Sequence, residues 1–262
     1  MKFQLKALAA AAILAAALPA HATIDKADSG NSSFVLTVFD KVANVSASFD
    51  LGKNYLDFNQ VAAAGAVSSV TAPGTSFSWD LATDVDYSAA WTSFLAAATL
   101  PNIQYAVTAA DNLGTGAGTR GYITTLAATG AALTTNAMTA ALGNFDTYVA
   151  AQNFGGHVAT DGSFFSNSAA AASTLYNSNR VGGTTTGPTT VGVIGSSLGV
   201  IQVTGSASSF TNATQTVFGN GAQFNLASNG TLIYQPVPEA DTWAMMLLGL
   251  GFMGFVARRK QA

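Results

Sequence analysis

Val45, Ala47, Phe49 and Leu51 alternate with Ser46, Ser48 and Asp50, the period of a strand with one buried face. Phe34, Leu36 and Val38 keep the same period just upstream and predict the partner strand of a hairpin. Similar patterns predict strands over 75–81, 103–109, 121–126, 191–194, 199–204, 222–226 and 231–234. Two stretches change period. Trp91, Phe94, Leu95 and Ala98 fall at helical spacing after Ser88 and stop before Pro101. Met138, Ala141, Leu142, Phe145, Tyr148 and Val149 form a longer apolar stripe that predicts a helix over 136–152. Both stripes read as core-packing faces. The pattern therefore predicts a mainly β, sandwich-like body with a helical insertion at about 130–180. The turn-rich GGTTTGPTT, residues 182–190, separates that insertion from the final strands, and no internal repeat of fixed period is present.

The two ends lack alternation. At the N-terminus Lys2 and Lys6 precede an apolar run over 7–18, and Ala20-His21-Ala22 follow. Positive, apolar and small-residue segments in that order make a secretory signal peptide, with cleavage expected after Ala22 and Thr23 as the first mature residue. Sec-type export machinery and signal peptidase are thus expected partners. At the other end, residues 243–257 are fifteen positions without a charge, followed at once by Arg258, Arg259 and Lys260. As a helix this stretch covers about 22 Å, and from residue 240 about 27 Å, against a hydrocarbon core of about 30 Å. The expectation is a short transmembrane helix with Trp243 at the outer interface and the basic cluster as a cytoplasmic stop-transfer signal. Its GLGFMG, residues 249–254, spells a dinucleotide fingerprint. Eight residues after Gly254 leave no room for the helix and ribose-binding acid that the fingerprint needs, so the glycines read as a close helix-packing face. The expected organisation is a signal peptide at 1–22, an exported domain at 23–235 and a C-terminal tail at 236–262.

Just before the apolar stretch stands PVPEADTW, residues 236–243. Val237-Pro238-Glu239, Trp243, the glycine-rich apolar run and Arg258-Arg259-Lys260 together resemble the PEP-CTERM protein-sorting domain, a tail also labelled ice-binding protein C-terminal domain. The resemblance covers about the last 25 residues, and it departs from the commonest pattern at Ala240, where a second proline is usual. It implies a sorting signal of Gram-negative bacteria that make exopolysaccharide. An inner-membrane exosortase would recognise Pro238 and Glu239, cut near them and pass the protein to the cell surface or matrix. On that reading these residues are features of a substrate for another enzyme.

Charge and residue inventory narrow what the exported part does. Between Thr23 and Pro236, Lys26, Lys41, Lys53, Arg120 and Arg180 stand against eleven aspartates and no glutamate, a net charge of −6. Without grouped Lys and Arg, nucleic acid is not an expected partner. The chain has no cysteine, which removes disulfides, thiolate metal sites and a cysteine nucleophile. GSSLG, residues 195–199, matches the nucleophile elbow at Ser197, but no histidine follows it; His157, with Asp161 nearby, lies upstream, against the order an α/β-hydrolase requires. A turn between strands is the better reading, and a lone His157 cannot make a multi-histidine metal site. Asp80, Asp84 and Asp86 could offer oxygens to calcium, yet they lack the glycine and bidentate glutamate of an EF-hand loop and read as surface charges or as an N-terminal cluster for the helix after Ser88. The only glutamate is Glu239, so paired glutamates for glycoside hydrolysis are absent, although aspartate pairs are not. Thr184, Thr185 and Thr186 form one run in a loop-like segment, not the regular array that ice binding needs. No catalytic, cofactor or metal site is expected. The leading expectation is a non-enzymatic exported protein that binds exopolysaccharide or other matrix components. The alternatives are a secreted polysaccharide hydrolase working through aspartates, and a permanently anchored periplasmic domain.

Overall fold

The computed structural model describes residues 23–153, 158–160, 162–166 and 190–236. The expected hairpin is its centre. Strands β1 (Ser33–Asp40) and β2 (Val45–Asn54) pair antiparallel with Leu36 opposite Phe49 and Val38 opposite Ala47. Asp40 Oδ1 accepts from the N–H groups of Val42 at 2.8 Å and Ala43 at 3.1 Å, and Asn44 takes a φ of 62°, so the turn is closed by residues suited to it. The remaining strands are β3 (Phe77–Asp80), β4 (Ile103–Asp111), β5 (Gly121–Leu126), β6 (Val158–Thr160), β7 (Ser163–Ser166), β8 (Gly192–Val193), β9 (Ser197–Thr204), β10 (Thr214–Val217), β11 (Gln223–Leu226) and β12 (Thr231–Gln235). Helices α1 (Tyr55–Phe58), α2 (Ser88–Ala97) and α3 (Thr135–Asn153) complete the set of α-helices among the described residues. Within 130–180 the chain thus places α3 and then the short strands β6 and β7, which join the sheet.

All strands belong to one antiparallel sheet in the order β3-β12-β11-β9-β5-β4-β1-β2-β7-β6, with β10 beside β9 and β8 beside β4. This corrects the sandwich expectation: the domain is mainly β, but the two facing layers are wings of a single curled sheet. Strands β1 and β11 are four steps apart, about 19 Å if the sheet were flat. Yet Phe34 of β1 stacks on Phe224 of β11 with ring centroids 6.1 Å apart. Farther out, Trp79 Nε1 of β3 donates to the Leu51 carbonyl of β2 at 2.8 Å, although the two strands are seven steps apart in the sheet. The curl brings both wings together around the concave core. Phe34, Phe49, Phe58, Phe94, Tyr105, Phe224 and Tyr234 fill it, each side chain almost wholly removed from water. Trp91 of α2 meets Phe49 of β2 at 6.3 Å and Phe94 is buried, so α2 seals one end of this core with the stripe that its spacing indicated.

The convex face is covered over only part of its width. α3 lays Met138, Leu142, Phe145 and Val149 on Val35, Phe39, Ala106, Ala110, Tyr122, Ile201 and Val203. Alanines at 106 and 110 allow the helix to come close. As a result every residue of β1 is buried, on both faces of the strand. Within this layer the Tyr148 hydroxyl bonds Thr37 Oγ1 at 3.0 Å and also Ser48 Oγ, whereas the buried Ser46 Oγ and Gln152 Nε2 have no hydrogen-bond partner among the described residues. The start of the domain is fixed to the same helix, because Asp146 Oδ1 accepts from Ala27 N at 2.5 Å and Asp28 N at 3.2 Å. Ile24 and Ala27 are buried beside it, two and five residues past Ala22, the expected cleavage point. Among the described residues no helix is long and apolar enough to cross a membrane. The expected signal helix and the expected membrane helix over 243–257 lie outside the described residues.

Candidate functional site

Beyond the edge of α3, the convex side of β9, β11, β12 and β3 faces water. Register places its side chains in rows across the strands. Ser197 lies opposite Asn225, Asn225 opposite Ile233 and Ile233 opposite Ser78. One row away, Gly199 lies opposite Gln223 and Gln223 opposite Gln235. Alternation explains why these residues share a face: Leu198, Phe224, Leu226, Leu232 and Tyr234, their neighbours in sequence, point into the concave core. Ser197, Gln223, Asn225, Ile233 and Gln235 line a shallow cavity of about 250 Å³. Asn225 Nδ2 donates to Ser197 Oγ at 3.1 Å and to the Gly195 carbonyl at 3.4 Å, which sets the orientation of that amide. Ile233, 36% exposed, supplies the apolar surface.

The lining offers amide and hydroxyl donors and acceptors beside one aliphatic side chain. None of the five carries a charge, an imidazole or a thiolate, so the lining supplies no ionisable general base and no carboxylate, imidazole or thiolate ligand for a metal. Ser197, singled out by GSSLG, is therefore placed differently from a nucleophile. It opens strand β9 after Gly195 at φ 86°, where an elbow requires a strand, a sharp turn and then a helix. Gln223, Asn225, Ile233 and Gln235 escaped the sequence reading. Their signal was available as uncharged amides at the polar positions of two alternating strands, but only register shows that they meet.

The other candidates do not assemble. Asp80 Oδ1 accepts from Ala82 N at 3.0 Å and Thr83 N at 3.2 Å, and its Oδ2 from Thr83 Oγ1 at 2.6 Å; the Thr83 hydroxyl above all holds this carboxyl below its ordinary range. Asp84 Oδ1 accepts from Asp86 N at 3.0 Å. These carboxylates close local turns, and among the described residues no group of three or more His, Cys, Asp or Glu could hold a metal ion. Three further aspartates are held in place by hydrogen bonds that serve the fold. Asp50 accepts from Ser33 Oγ at 2.6 Å, Asp146 caps the start of the domain, and Asp111 accepts from Leu113 N at 2.8 Å. Burial raises all three carboxyls, that of Asp111 to about 6.

A second feature had no signal in the hydrophobic pattern. Phe210 is 90% exposed on the turn between β9 and β10. The turn is tied to the start of α3: Thr135 N donates to the Thr211 carbonyl at 2.8 Å and Asn136 N to the Ser209 carbonyl at 2.9 Å. Two N–H groups that a helix start leaves open are thereby satisfied.

Of the expected topogenic residues, Thr23 is exposed at the start of the described chain. Ala20, Ala22, Val237, Pro238, Glu239, Trp243, Arg258, Arg259 and Lys260 lie outside the described residues, as do His157, Asp161 and Thr184 to Thr186. Here comparison supplies what geometry does not. Residues 236–260 match the family model of the PEP-CTERM protein-sorting motif. The match begins one residue after β12 ends at Gln235. The motif marks an exported protein with a transient membrane anchor, sorted by an exosortase-type system. No curated protein and no solved structure matches the chain at a significant level.

Proposed function

We propose that this protein is a non-enzymatic component of the cell surface or extracellular matrix, acting by binding exopolysaccharide or other matrix components after its tail has been processed. The observation that carries the reading is the sorting motif at 236–260, attached directly to a strand paired on both sides in the sheet. Leu232 and Tyr234 of β12 are fully buried, and the Tyr234 hydroxyl donates to the Val70 carbonyl at 3.2 Å. Removal of the tail beyond this strand leaves every described core contact in place.

The test is fractionation of the native host carrying either the wild-type protein or a Pro238→Ala/Glu239→Ala variant. The wild type is expected outside the inner membrane and the variant in it. Retention of both in the inner membrane would identify the tail as a permanent anchor and overturn the proposal.

A further inference from the structure

We infer that the open cavity on β9, β11 and β12 is a binding site for a neutral polysaccharide, with Gln223, Asn225 and Gln235 as the recognising side chains. The inference rests on the matrix-binding reading above and names the site and the chemical class of its ligand.

A half-buried antiparallel sheet keeps its outer face soluble, and charged residues do this at least cost because they remain hydrated. Here three carboxamides occupy neighbouring positions on β11 and β12, with a serine beside them on β9. A carboxamide presents a donor and an acceptor side by side, as a sugar carrying adjacent hydroxyls also does. Gln223 and Gln235 are directly opposed across the strands, so their Cβ atoms stand about 5 Å apart and both side chains leave the same face. Asn225 is held by Ser197 Oγ and the Gly195 carbonyl through its Nδ2, which leaves its side-chain oxygen directed away from those two partners. Ile233, opposite Asn225, offers an aliphatic surface for the C–H side of a sugar ring.

Charge selects between polymer classes. The body from Thr23 to Pro236 carries −6, and the cavity contains no cation to offset it. An anionic polysaccharide would approach against that field without a compensating ion pair, whereas a neutral one is not opposed. Gly199 contributes shape: it faces the same side beside Gln223, and lacking a side chain it leaves the row open toward Leu126. A Cβ at Gly199 would meet the Leu126 carbonyl oxygen at 3.5 Å, an ordinary contact, so the position accepts a side chain without strain.

The experiment is affinity electrophoresis of the processed protein released by its host, in gels containing dextran, hydroxyethyl cellulose or alginate. Retardation by at least one of the two neutral polymers is expected, insensitive to salt, with alginate weaker. Gln223→Ala/Gln235→Ala is expected to weaken it at least tenfold. Gly199→Val, which puts a branched apolar side chain in the row beside Gln223, is expected to weaken retardation as well while the thermal unfolding transition stays in place. Retardation that survives both variants would move binding elsewhere and overturn the site while leaving the matrix reading intact. A preference for alginate would overturn the neutral class. Failure to bind either neutral polymer would overturn the inference, whereas the sorting reading is judged separately by fractionation.

Discussion

The convex face of one sheet has two halves that differ in nearly every respect. Under α3 the outward positions are Val35, Phe39, Ala106, Ala110, Tyr122, Ile201 and Val203, buried and apolar. Past the helix the same face presents Ser78, Ser197, Gln223, Asn225, Ile233 and Gln235 to water. Strand β9 belongs to both, for Ile201 and Val203 lie beneath the helix while Ser197 lines the open cavity. A single strand thus changes from core to surface chemistry within about four residues. The contrast teaches that the covered half supplies stability and leaves the open half free of that demand, so its residues can be chosen for a ligand.

The strongest way to break this comparison is to truncate a large side chain on each half. Phe145→Ala should cost about 3–5 kcal/mol of unfolding free energy in urea, because a buried ring is lost and a cavity left. Ile233→Ala should cost less than about 1 kcal/mol, since the side chain remains partly hydrated. Equal losses would show that α3 is not what distinguishes the halves. A smaller effect sharpens the same point: Tyr148→Phe removes the hydroxyl that satisfies Thr37 and Ser48, and about 1–3 kcal/mol should be lost at unchanged packing.

A pH profile separates the open cavity from the buried interior in another way. Burial raises the Asp111 carboxyl to about 6 in the folded protein, above its ordinary value of 3.8. Between those values the folded state binds more protons than the unfolded state, so this group's contribution favours folding at low pH and declines as pH rises through about 6. Asp111→Asn should therefore stabilise the protein at pH 7, by about 1 kcal/mol after allowing for residual solvent screening, and should remove that part of the slope. The open cavity has no titratable lining, so polymer binding should be flat over the same range. Smallest of all, Gln223→Ala and Gln235→Ala should each change stability by less than about 0.5 kcal/mol while weakening polymer retardation. A large loss of stability would mean that the open half is structural after all.

The alternation at Phe34, Leu36, Val38 and Val45, Ala47, Phe49, Leu51 was enough to read β1 and β2, because each strand has one fully apolar face. The stripe from Met138 to Val149 gave α3 to within a residue at each end. Periodicity could not say whether two buried faces belong to two sheets or to one that curls, because it reports burial and is silent on strand order. Nor did it show that β1 is covered on both sides, since Thr37 and Ser48 look like solvent-facing positions until Tyr148 is found between them. Strand β10, Thr214-Gln215-Thr216-Val217, has too little apolar contrast to stand out. At the candidate site the sequence drew attention to Ser197 through a catalytic pattern. Its real company is set by hydrogen-bond register between residues 26 to 38 positions away, which no local motif encodes.

The most direct test of the account is the intact mass of the protein recovered from the surface or matrix of its native host. A single folded body bounded by two removable ends predicts a species that begins at Thr23 and ends within the sorting motif near Glu239. A mass that retains residues 243–262, with Trp243 and the Arg258-Arg259-Lys260 cluster still attached, would contradict it.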